Sequence, residues 1–402
     1  MGGMVKTRKN SSNPIVVSLF TGAGGLDEGF RAAGYQIGCC VELEEWACDT
    51  LRLNHPETPV MGPPDHSGDV KQITGDEILQ YAGLKAGEVD VLIGGPPCQP
   101  FSQAATQRFL KGDDRFKRQG FDDDLKGTLL FDFIRLALEL KPKAFLLENV
   151  PGLMTIDGGK QIKEALRELQ DAGYHVTTPR VVNAVDYGVP QYRQRLIVWG
   201  SRRVKSPVLP EPTHSPIPGL FRKGYKTVAE ALAGMPQDLP NNATRAHSED
   251  SIKRYRTLEF GKREKLGRVD RLDPRMPSKT VIAGGMHGGG RSHLHPFIAR
   301  TITVREDSRL QTFQDDYVFA GSIARQFTQA GNAVPPLLAE VLARQIKKQE
   351  FGESFTEPFV HGRYLERDKS VEELVEQLLK ESRAQKPEWI YYSHAKQIVP
   401  VR

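Results

Sequence analysis

The order of apolar and polar positions in the first half of the chain predicts alternating strands and helices. Four short apolar runs predict strands at residues 15–20, 35–41, 89–93 and 144–147. Between and after them, apolar residues recur at helical spacing, which predicts helices at 26–33, 44–54, 127–140 and 160–172. Strands that alternate with helices in this way are typical of a doubly wound α/β fold with a parallel sheet.

The pattern changes after this part of the chain. Residues 174–185 and 195–199 alternate as in a hairpin, which predicts an antiparallel edge and therefore a mixed sheet. From 201 to about 295, prolines, glycines and basic residues interrupt the pattern, so we expect a smaller, irregular domain. Helices are predicted again at 335–347 and after Ser370, which forms the sequence of a capping box with Glu373.

Composition limits the class of protein. The chain has 402 residues, 39% of them hydrophobic, which is enough for one large and one small core. No stretch has the roughly 18 apolar residues of a membrane span. Residues 1–14 are polar and basic and predict a flexible tail instead of a secretory signal. The four cysteines are too few for a disulfide scaffold. We therefore expect a reduced, cytoplasmic protein that does not contact a membrane.

The net charge of +5 is distributed unevenly. Residues 201–300 contain 19 Lys and Arg against 9 Asp and Glu. A basic lobe of this kind indicates a surface for a polyanion such as nucleic acid. Taken alone, the charge is explained equally well by a solvated surface.

The first candidate site joins the first predicted strand to the first helix. Its sequence, FTGAGGL at 20–26, lets a ligand approach the backbone but lacks the GxGxxG spacing of a dinucleotide site. The second strand ends about twenty residues later at Glu42, an acid placed to accept hydrogen bonds from ribose hydroxyls. Together these features favour a nucleoside-bearing cofactor, although a tight turn would explain the glycines alone.

The second candidate site is the sequence GGPPCQPFS at 94–102, directly after the predicted strand 89–93. Two prolines before Cys98 and one after Gln99 fix the backbone, and a nucleophile requires a rigidly presented thiol. A lone cysteine is usually a small buried hydrophobe. The position at a strand end, within a Gly-Pro frame, favours the nucleophile.

Charged residues mark two further strand ends. Glu148 follows an apolar strand, and partial burial would raise the pKa of its carboxyl group towards a useful acid–base range. Arg193 and Arg195 lie two apart on an extended segment and so point the same way, as a clamp for a planar polar substrate would. A solvent-facing glutamate and salt bridges at a sheet edge are the alternatives.

The order of these motifs resembles that of the DNA (cytosine-5) methyltransferase family. The motifs are FxGxGG at 20–25, PPCQ at 96–99, ENV at 148–150, QxRxR at 191–195 and GNAVPP at 331–336. As in that family, a basic variable stretch lies before the last motif. Together with this stretch, the five motifs make six segments, and six in this order are very unlikely by chance. The resemblance covers roughly residues 15–347. It implies the class I S-adenosylmethionine-dependent methyltransferase fold, a doubly wound mixed sheet with a smaller, irregular target-recognition domain.

The resemblance implies a catalytic set. Cys98 matches the cysteine whose thiolate adds to carbon 6 of cytosine, so that carbon 5 can attack a methyl sulfonium. Glu148 matches the acid that hydrogen-bonds ring nitrogen 3 and the amino group. Arg195 matches the residue that holds the base carbonyl, and Arg193 its supporting partner.

The resemblance also implies S-adenosylmethionine as methyl donor, S-adenosylhomocysteine as product, and no metal. The residues implied to form the cofactor site are Phe20, Gly22, Gly24, Leu26, Glu42, Leu43, Asp69, Val70, Pro97, Leu129, Asn332 and Val334. Two positions depart from the family. Ser18 stands where the family often has aspartate, and Leu43 replaces a frequently aromatic residue, which would weaken stacking on adenine.

Double-stranded DNA is the implied partner. The catalytic domain would span 15–203 and 301–349. The target-recognition domain would span 204–300 and contain Thr280-Val281 as a short recognition element. Residues 350–402 would be an extension that packs on the large domain and is not needed for methyl transfer. Residues 103–126 would be a loop that closes over a flipped base. His287, His293 and His295 are interpreted as polar loop residues. We expect a monomer on DNA and a cognate restriction endonuclease.

Three alternatives stay open at this point. A transfer-RNA cytosine methyltransferase would share the fold but usually lacks a large basic insert. A catalytically silent DNA-binding relative would be expected to lose Cys98, Glu148 or Arg195, all of which are present. An enzyme that methylates free pyrimidine nucleotides would need no basic domain.

Overall fold

An eight-stranded mixed sheet forms the centre of the computed structural model, which describes residues 13–97, 129–266, 269–283 and 293–386. The strands are β1 Ile15–Leu19, β2 Gln36–Val41, β3 Val60–Met61, β4 Val91–Gly94, β5 Ala144–Asn149, β6 His175–Val176, β7 Arg180–Asn183 and β8 Gln194–Ser201. Their order in the sheet is β3-β2-β1-β4-β5-β8-β6, and β7 also pairs with β8. Strands β1 to β5 are parallel, whereas β8 is antiparallel to β5, β6 and β7. The predicted mixed α/β fold is confirmed.

Helices cover both faces of this sheet, because its central strands are apolar on both sides. Val16 packs with the helices on one face and Val17 with those on the other. On the first face, Gly29 of one helix lies against Ala339 of another, where a Cβ on Gly29 would approach the Ala339 Cβ to 2.4 Å. The helices around the sheet are α1 Gly25–Ala32, α2 Glu45–Asn54, α3 Gly75–Ala82, α4 Leu129–Leu140, α5 Lys160–Asp171, and, further along the chain, α9 Ile323–Asn332 and α10 Pro336–Phe351.

The smaller region after β8 has short elements, as the prolines and glycines of its sequence predict. Its core is formed by the helix Val228–Leu232 together with buried side chains of later segments, among them Leu272, Phe297 and Leu310. Its elements are β9 His214–Ser215, β10 Lys223–Gly224, α6 Val228–Leu232, α7 Glu249–Arg256, β11 Asp270–Arg271 and β12 His293–Leu294, followed by α8 Val304–Leu310. β9 pairs with β10, and β11 with β12, in parallel.

The C-terminal extension contacts both parts of the molecule. Phe355 and Phe359 pack against the core of the large sheet. The predicted helix after Ser370 is present as α11, Val371–Gln385, and the capping box of Ser370 and Glu373 is complete. The apolar face of α11 packs on α6 and its neighbours, and so completes the core of the smaller region. The extension therefore packs on the large domain, as expected, only in its first part, whereas α11 packs on the smaller region.

Several features differ from the sequence-based expectations. The sequence does not predict β3, α3 or α9. Residues 330–332, which the sequence places just before the late helix, form the end of α9. His293 lies in β12, so the interpretation of His293 as a polar loop residue is wrong. His295 follows β12 in a loop, as expected, but is buried there. His287 lies outside the described residues. Among the helices of the described residues, none is long and apolar enough to span a bilayer.

Candidate active site

The predicted catalytic segments meet where β1, β4 and β5 end. These strands are parallel and adjacent, with Leu19 beside Gly94 and Gly94 beside Leu147. β8 enters this edge from the opposite direction, because Asn149 pairs with Leu196. The carboxyl ends of the strands therefore bring together the glycine turn, the loop that leads to Cys98, Glu148 and the arginine segment. Cys98 itself lies outside the described residues, as does the predicted closing loop 103–126.

Glu148 and Arg195 form a buried ion pair at this edge. Arg195 Nε lies 2.8 Å from Glu148 Oε1, and both side chains are largely removed from solvent. Burial raises the pKa of the Glu148 carboxyl group, an effect that Arg195 and then Arg193 oppose. The predicted increase of this pKa by burial is thus confirmed. A Cβ on Gly95 would lie 2.6 Å from Glu148 Oε2, so a larger residue at position 95 would have to displace this carboxylate.

Arg193 lies behind this pair and contacts backbone instead of carboxylate. Its guanidinium donates to the carbonyls of Val281 at 3.1 Å and of Gly331 and Ala333 at 2.8 Å each. Arg193 is fully buried, and burial lowers its pKa, as does the neighbouring Arg195. The two arginines therefore do not form a clamp with two equivalent arms. Arg193 instead fixes the backbone of two distant segments, of which one contains Val281 and the other is the end of α9 with the residue after it.

Asn149 is a residue whose role sequence reasoning missed. Its Nδ2 donates to the Pro96 carbonyl at 3.1 Å, and its Oδ1 accepts from the Val150 amide at 2.8 Å. Asn149 thus connects the end of β5 to the loop that leads to Cys98. The only signal in the sequence was the position of asparagine directly after Glu148.

The glycine turn has the backbone conformation that its sequence predicts. Gly22 and Gly24 have φ of 56° and 71°, and Phe20 has a φ of 53° despite its side chain. The amide of Gly22 donates to Glu42 Oε2 at 2.6 Å, and Glu42 Oε1 accepts from Glu44 N at 2.8 Å. Burial raises the pKa of the Glu42 carboxyl group, and the amide donors oppose this rise. Leu43, directly after it, is 56% exposed.

The remaining predicted cofactor residues lie around this turn. A Cβ on Gly68 would lie 1.9 Å from the Glu42 carbonyl, so the loop with Asp69 and Val70 passes directly over the end of β2. A Cβ on Gly25 would lie 2.2 Å from the Val334 carbonyl, which brings the segment after α9 to the start of α1. Asn332 is exposed at the end of α9, and Leu26 is buried in α1. Pro97 and Leu129 border the undescribed segment 98–128.

Arg135, which sequence reasoning also missed, holds the loop that contains Asp69 and Val70. Its guanidinium donates to the Val70 carbonyl at 2.6 Å and to the Ile73 carbonyl at 3.0 Å. Two acidic neighbours on α4, Asp132 and Glu139, pair with Arg135 at 3.4 and 3.0 Å. Arg135 is thus a fixed connection between α4 and this loop.

Asp27 explains how the turn accommodates Ser18. Ser18 Oγ donates to Asp27 Oδ2 at 3.1 Å, and Cys40 Sγ donates to Asp27 Oδ1 at 3.4 Å. Burial raises the pKa of the Asp27 carboxyl group, and the charge of Arg31 opposes this rise. A buried carboxylate of α1 therefore lies directly beside Ser18.

The arrangement can hold a nucleoside and polarise a base, and its described residues offer no metal site. Glu42 presents a buried carboxylate beside a glycine turn, and Leu43 presents an exposed apolar surface, which together fit a nucleoside with a ribose and a flat base. The Glu148–Arg195 pair provides an acid and a cation at one point. Within the described ranges, no three His, Cys, Asp or Glu side chains are grouped as metal ligands would be.

Comparisons with known proteins agree with this geometry. A family model described as C-5 cytosine-specific DNA methylase matches residues 15–348. Type II methyltransferase M.XorII of Xanthomonas oryzae pv. oryzae is 32% identical over 379 residues, covering 84% of this chain and 85% of the relative. Type II methyltransferase M.NgoFVII of Neisseria gonorrhoeae is 33% identical over 353 residues, covering 84% and 87%.

Solved structures show the same architecture. An E. coli prophage-encoded protein, described as a DNA modification methyltransferase, superposes with a TM-score of 0.67 at 26% identity, covering 84% of this chain and 99% of that one. Methyltransferase EhMeth of Entamoeba histolytica superposes with a TM-score of 0.55 at 16% identity, covering 84% and 99%, which supports the fold alone.

Proposed function

The chain belongs to the C-5 cytosine-specific DNA methylase family and methylates DNA cytosine at carbon 5; from this premise we propose that it does so by covalent catalysis at Cys98. Carbon 5 of cytosine is too weak a nucleophile to attack a methyl donor directly. Addition of the Cys98 thiolate to carbon 6 shifts electrons through the ring towards carbon 5 and nitrogen 3, so that carbon 5 gains nucleophilic character.

Glu148 and Arg195 stabilise the charge that develops during this addition. Glu148, in its protonated form, donates a hydrogen bond to nitrogen 3, where negative charge accumulates. Its raised pKa, caused by burial, keeps a larger protonated fraction near neutral pH than an exposed glutamate would have. Arg195 orients the carboxyl group through the 2.8 Å contact. In this proposal Arg195 also holds the base carbonyl.

Arg193 and Asn149 position this machinery without touching the base. Arg193 holds the backbones of Val281, Gly331 and Ala333 at fixed distances from Arg195. Asn149 holds the Pro96 carbonyl, two residues before Cys98. In this proposal, both residues reduce the freedom of the segments that the base must contact.

S-adenosylmethionine is the methyl donor of the family, and when bound it supplies an electrophilic methyl group to carbon 5. The residues of this chain that would hold it are those around the glycine turn. Glu42 would accept hydrogen bonds from the ribose hydroxyls, Leu43 would pack on adenine, and Asp69 would contact its edge. Gly22 and Gly24 would allow close approach of the backbone, and the segment with Asn332 and Val334 would close the opposite side.

The reaction ends when the addition is reversed. After methylation, a base removes the proton from carbon 5, the carbon 5–carbon 6 double bond forms again, and the Cys98–carbon 6 bond breaks with return of the electron pair to sulfur. The released thiolate is ready for another cycle.

DNA must present the cytosine outside the helix, because a base within the duplex cannot reach Cys98. We propose that residues 204–300, with their excess of positive charge, bind the phosphates and recognise a specific duplex sequence. Thr280 Oγ1 donates to the Tyr192 carbonyl at 2.6 Å, which places the proposed recognition element directly against the arginine segment. The protein would act as a cytoplasmic, nucleoid-associated monomer, with a cognate restriction endonuclease as partner.

The buried Glu148–Arg195 pair, at the end of β5 and beside the strand β4 that leads towards Cys98, is the observation that supports this proposal most directly. The test is transfer of labelled methyl from S-adenosylmethionine to DNA that lacks 5-methylcytosine, with wild type and Cys98→Ser side by side. We expect label in one short duplex sequence and none with the variant. Label on transfer RNA instead of DNA, or equal transfer by Cys98→Ser, would overturn the proposal.

A further inference from the structure

A loop that borders the proposed cofactor site is held by side chains of a neighbouring helix. We define residues 68–74, which lead to α3, as the Asp69 loop. The loop starts against the end of β2, where Gly68 leaves no room for a Cβ beside the Glu42 carbonyl. Its residues form turns and irregular backbone, without the hydrogen-bond ladder of a strand or helix. Contacts from outside must therefore fix where the loop lies.

Asp69 shapes this loop from within. Its Oδ1 accepts from the Lys71 amide at 3.1 Å, and its Oδ2 accepts from Gln72 Nε2 at 3.2 Å. The Gln72 amide also donates to the Asp69 carbonyl at 2.9 Å. These bonds join residues of the same loop, so they set its local shape but not its position relative to β2. Each carboxylate oxygen has a second lone pair, which can accept from a ligand.

Arg135 supplies an anchor from outside the loop. Its Nη2 donates to the Val70 carbonyl at 2.6 Å, and its Nη1 donates to the Ile73 carbonyl at 3.0 Å. Because Val70 directly follows Asp69, the first of these bonds fixes the backbone from which the Asp69 carboxylate projects. A planar guanidinium presents its donors at a fixed spacing, whereas the ammonium group of a lysine is a single point of charge.

Two acids of α4 orient Arg135, and one of them forms a second anchor. Asp132 Oδ1 and Glu139 Oε1 lie 3.4 and 3.0 Å from the guanidinium. The other oxygen of Glu139 accepts from the Gly75 amide at 2.6 Å, at the start of α3. Ion pairs at this helical spacing contribute only about 0.3–0.5 kcal/mol to stability. Placement of the loop explains this set of contacts better than stabilisation of α4 does.

From these contacts we propose that Arg135 is a positioning residue for the methyl donor. It holds the Asp69 loop so that the Asp69 carboxylate meets the edge of adenine, and it does so without touching the donor. The inference rests on the cofactor site proposed above and adds a residue outside that site. It predicts that Arg135 controls affinity for S-adenosylmethionine and recognition of its adenine, while DNA binding and the chemical step do not depend on it.

The first test compares wild type with Arg135→Ala and with Arg167→Ala, which removes an exposed arginine of α5. Calorimetry gives Kd for S-adenosylhomocysteine, and labelled methyl transfer to duplex DNA gives kcat and the KM for S-adenosylmethionine. We expect Arg135→Ala to raise Kd and KM about ten-fold, the cost of losing hydrogen bonds from a charged donor. Its kcat at saturating donor and its Kd for duplex DNA should equal those of wild type, as should every constant of Arg167→Ala.

A second measurement separates positioning from a general structural effect. S-inosylhomocysteine has a carbonyl oxygen in place of the 6-amino group of adenine, so a carboxylate that accepts from the amino group disfavours it. We expect wild type to bind this analogue about ten-fold more weakly than S-adenosylhomocysteine, and Arg135→Ala to bind the two ligands almost equally. A general structural defect would weaken both ligands and keep the wild-type ratio.

Two further variants keep the proposal testable if Arg135→Ala does not fold. Arg135→Lys retains the charge and reaches fewer acceptors, so its Kd should lie between those of wild type and Arg135→Ala. Glu139→Ala removes the second anchor and should raise Kd about three-fold.

The proposal would be overturned if these variants bound S-adenosylhomocysteine as Arg167→Ala does, or if they bound it more weakly with an unchanged ligand ratio. If wild type does not bind S-adenosylhomocysteine, the proposed cofactor site fails first, and that outcome is distinct from a variant-specific result.

Discussion

Glu148 is the residue on which the proposed chemistry depends most after Cys98. Its carboxyl group is buried and paired with Arg195, and burial raises its pKa. We expect Glu148→Ala to lower kcat by about 10²–10⁴-fold, the usual contribution of a positioned acid–base group. Glu164→Ala, at an exposed position of α5, is the matched control and should retain activity. Binding of S-adenosylmethionine by both variants, measured by calorimetry, should equal that of wild type.

The pH dependence follows from the direction of the pKa shift. Because burial raises the pKa of Glu148, the protonated form that donates to nitrogen 3 persists to higher pH and is lost as pH rises through that pKa. We expect kcat/KM of wild type to decrease on the alkaline side, and Glu148→Gln, which donates at every pH, to lack this decrease at a lower overall rate. The same alkaline decrease in both proteins would assign it to another group.

Leu43 offers a gain-of-affinity test of the cofactor site. It is 56% exposed beside the buried Glu42, where the family often has an aromatic residue. Stacking of a base on an aromatic ring contributes about 1–3 kcal/mol. We therefore expect Leu43→Trp to tighten S-adenosylmethionine binding about five-fold or more, measured by calorimetry. Leu53→Trp, at an equally exposed position of α2, should have no effect; equal affinities of the two variants would place adenine elsewhere.

At the level of elements, the loop after β4 depends on a neighbouring strand. Asn149 at the end of β5 donates to the Pro96 carbonyl, two residues before Cys98. We expect Asn149→Ala and Asn149→Asp, neither of which can donate this bond, to lower kcat about ten-fold. The affinity for S-adenosylmethionine should remain unchanged.

Alkylation by iodoacetamide provides a separate measure of this loop. Cys39, Cys40 and Cys48 are buried, and burial raises the pKa of Cys39 and Cys48 to about 12, so these thiols should react slowly. Labelling therefore reports mainly Cys98. A labelling rate and a kcat that both match wild type in the Asn149 variants would contradict the positioning role.

The sequence predicts the elements whose pattern is long and regular. The central strands and their helices are confirmed to within a few residues, because apolar runs and helical periodicity reflect burial directly. β3 has only two residues, Val60 and Met61, too few to show a period. α3 could have been predicted, since Thr74 and Glu77 form a capping box at its start.

The sequence predicts which residues form the candidate site, but it does not predict which of them contact one another. The order of motifs identifies Glu148, Glu42 and the glycine turn, all of which the structure brings to one edge of the sheet. The bonds from Arg193 to Val281, Gly331 and Ala333 join residues separated by 88 to 140 positions, which no local pattern encodes. The same holds for Arg135, which reaches back 65 positions to Val70.

For the whole molecule, the C-terminal helix is part of a core. The sequence predicts that the extension is not needed for methyl transfer, and that stays a prediction. The structure shows that α11 buries Leu374, Val375 and Leu378 against the core around α6. Further bonds hold it there, including Gly234 N to Glu381 and Arg367 to the Ala233 carbonyl. The packing makes α11 part of the smaller region.

Truncation tests this role. Burial of each of these side chains contributes about 1.5–3 kcal/mol before the entropy of ordering the helix is subtracted. We expect removal of 367–402 to lower the free energy of unfolding by about 3 kcal/mol and to weaken DNA binding more than cofactor binding. Removal of 387–402 alone keeps α11 and is the control. Equal melting temperature and DNA affinity in the two truncated proteins would contradict a structural role for α11.

The central claim, covalent addition of Cys98 to a cytosine in DNA, is tested most directly by trapping the adduct. Duplex substrate with 5-fluorocytosine at the target position permits addition and methyl transfer, but fluorine replaces the proton that must leave carbon 5, so the Cys98–carbon 6 bond cannot break. With S-adenosylmethionine present, we predict a stable one-to-one protein–DNA adduct, mapped by mass spectrometry to Cys98 and absent from Cys98→Ser. Methylation of ordinary cytosine by an enzyme that forms no such adduct, or an adduct on another residue, would contradict the account.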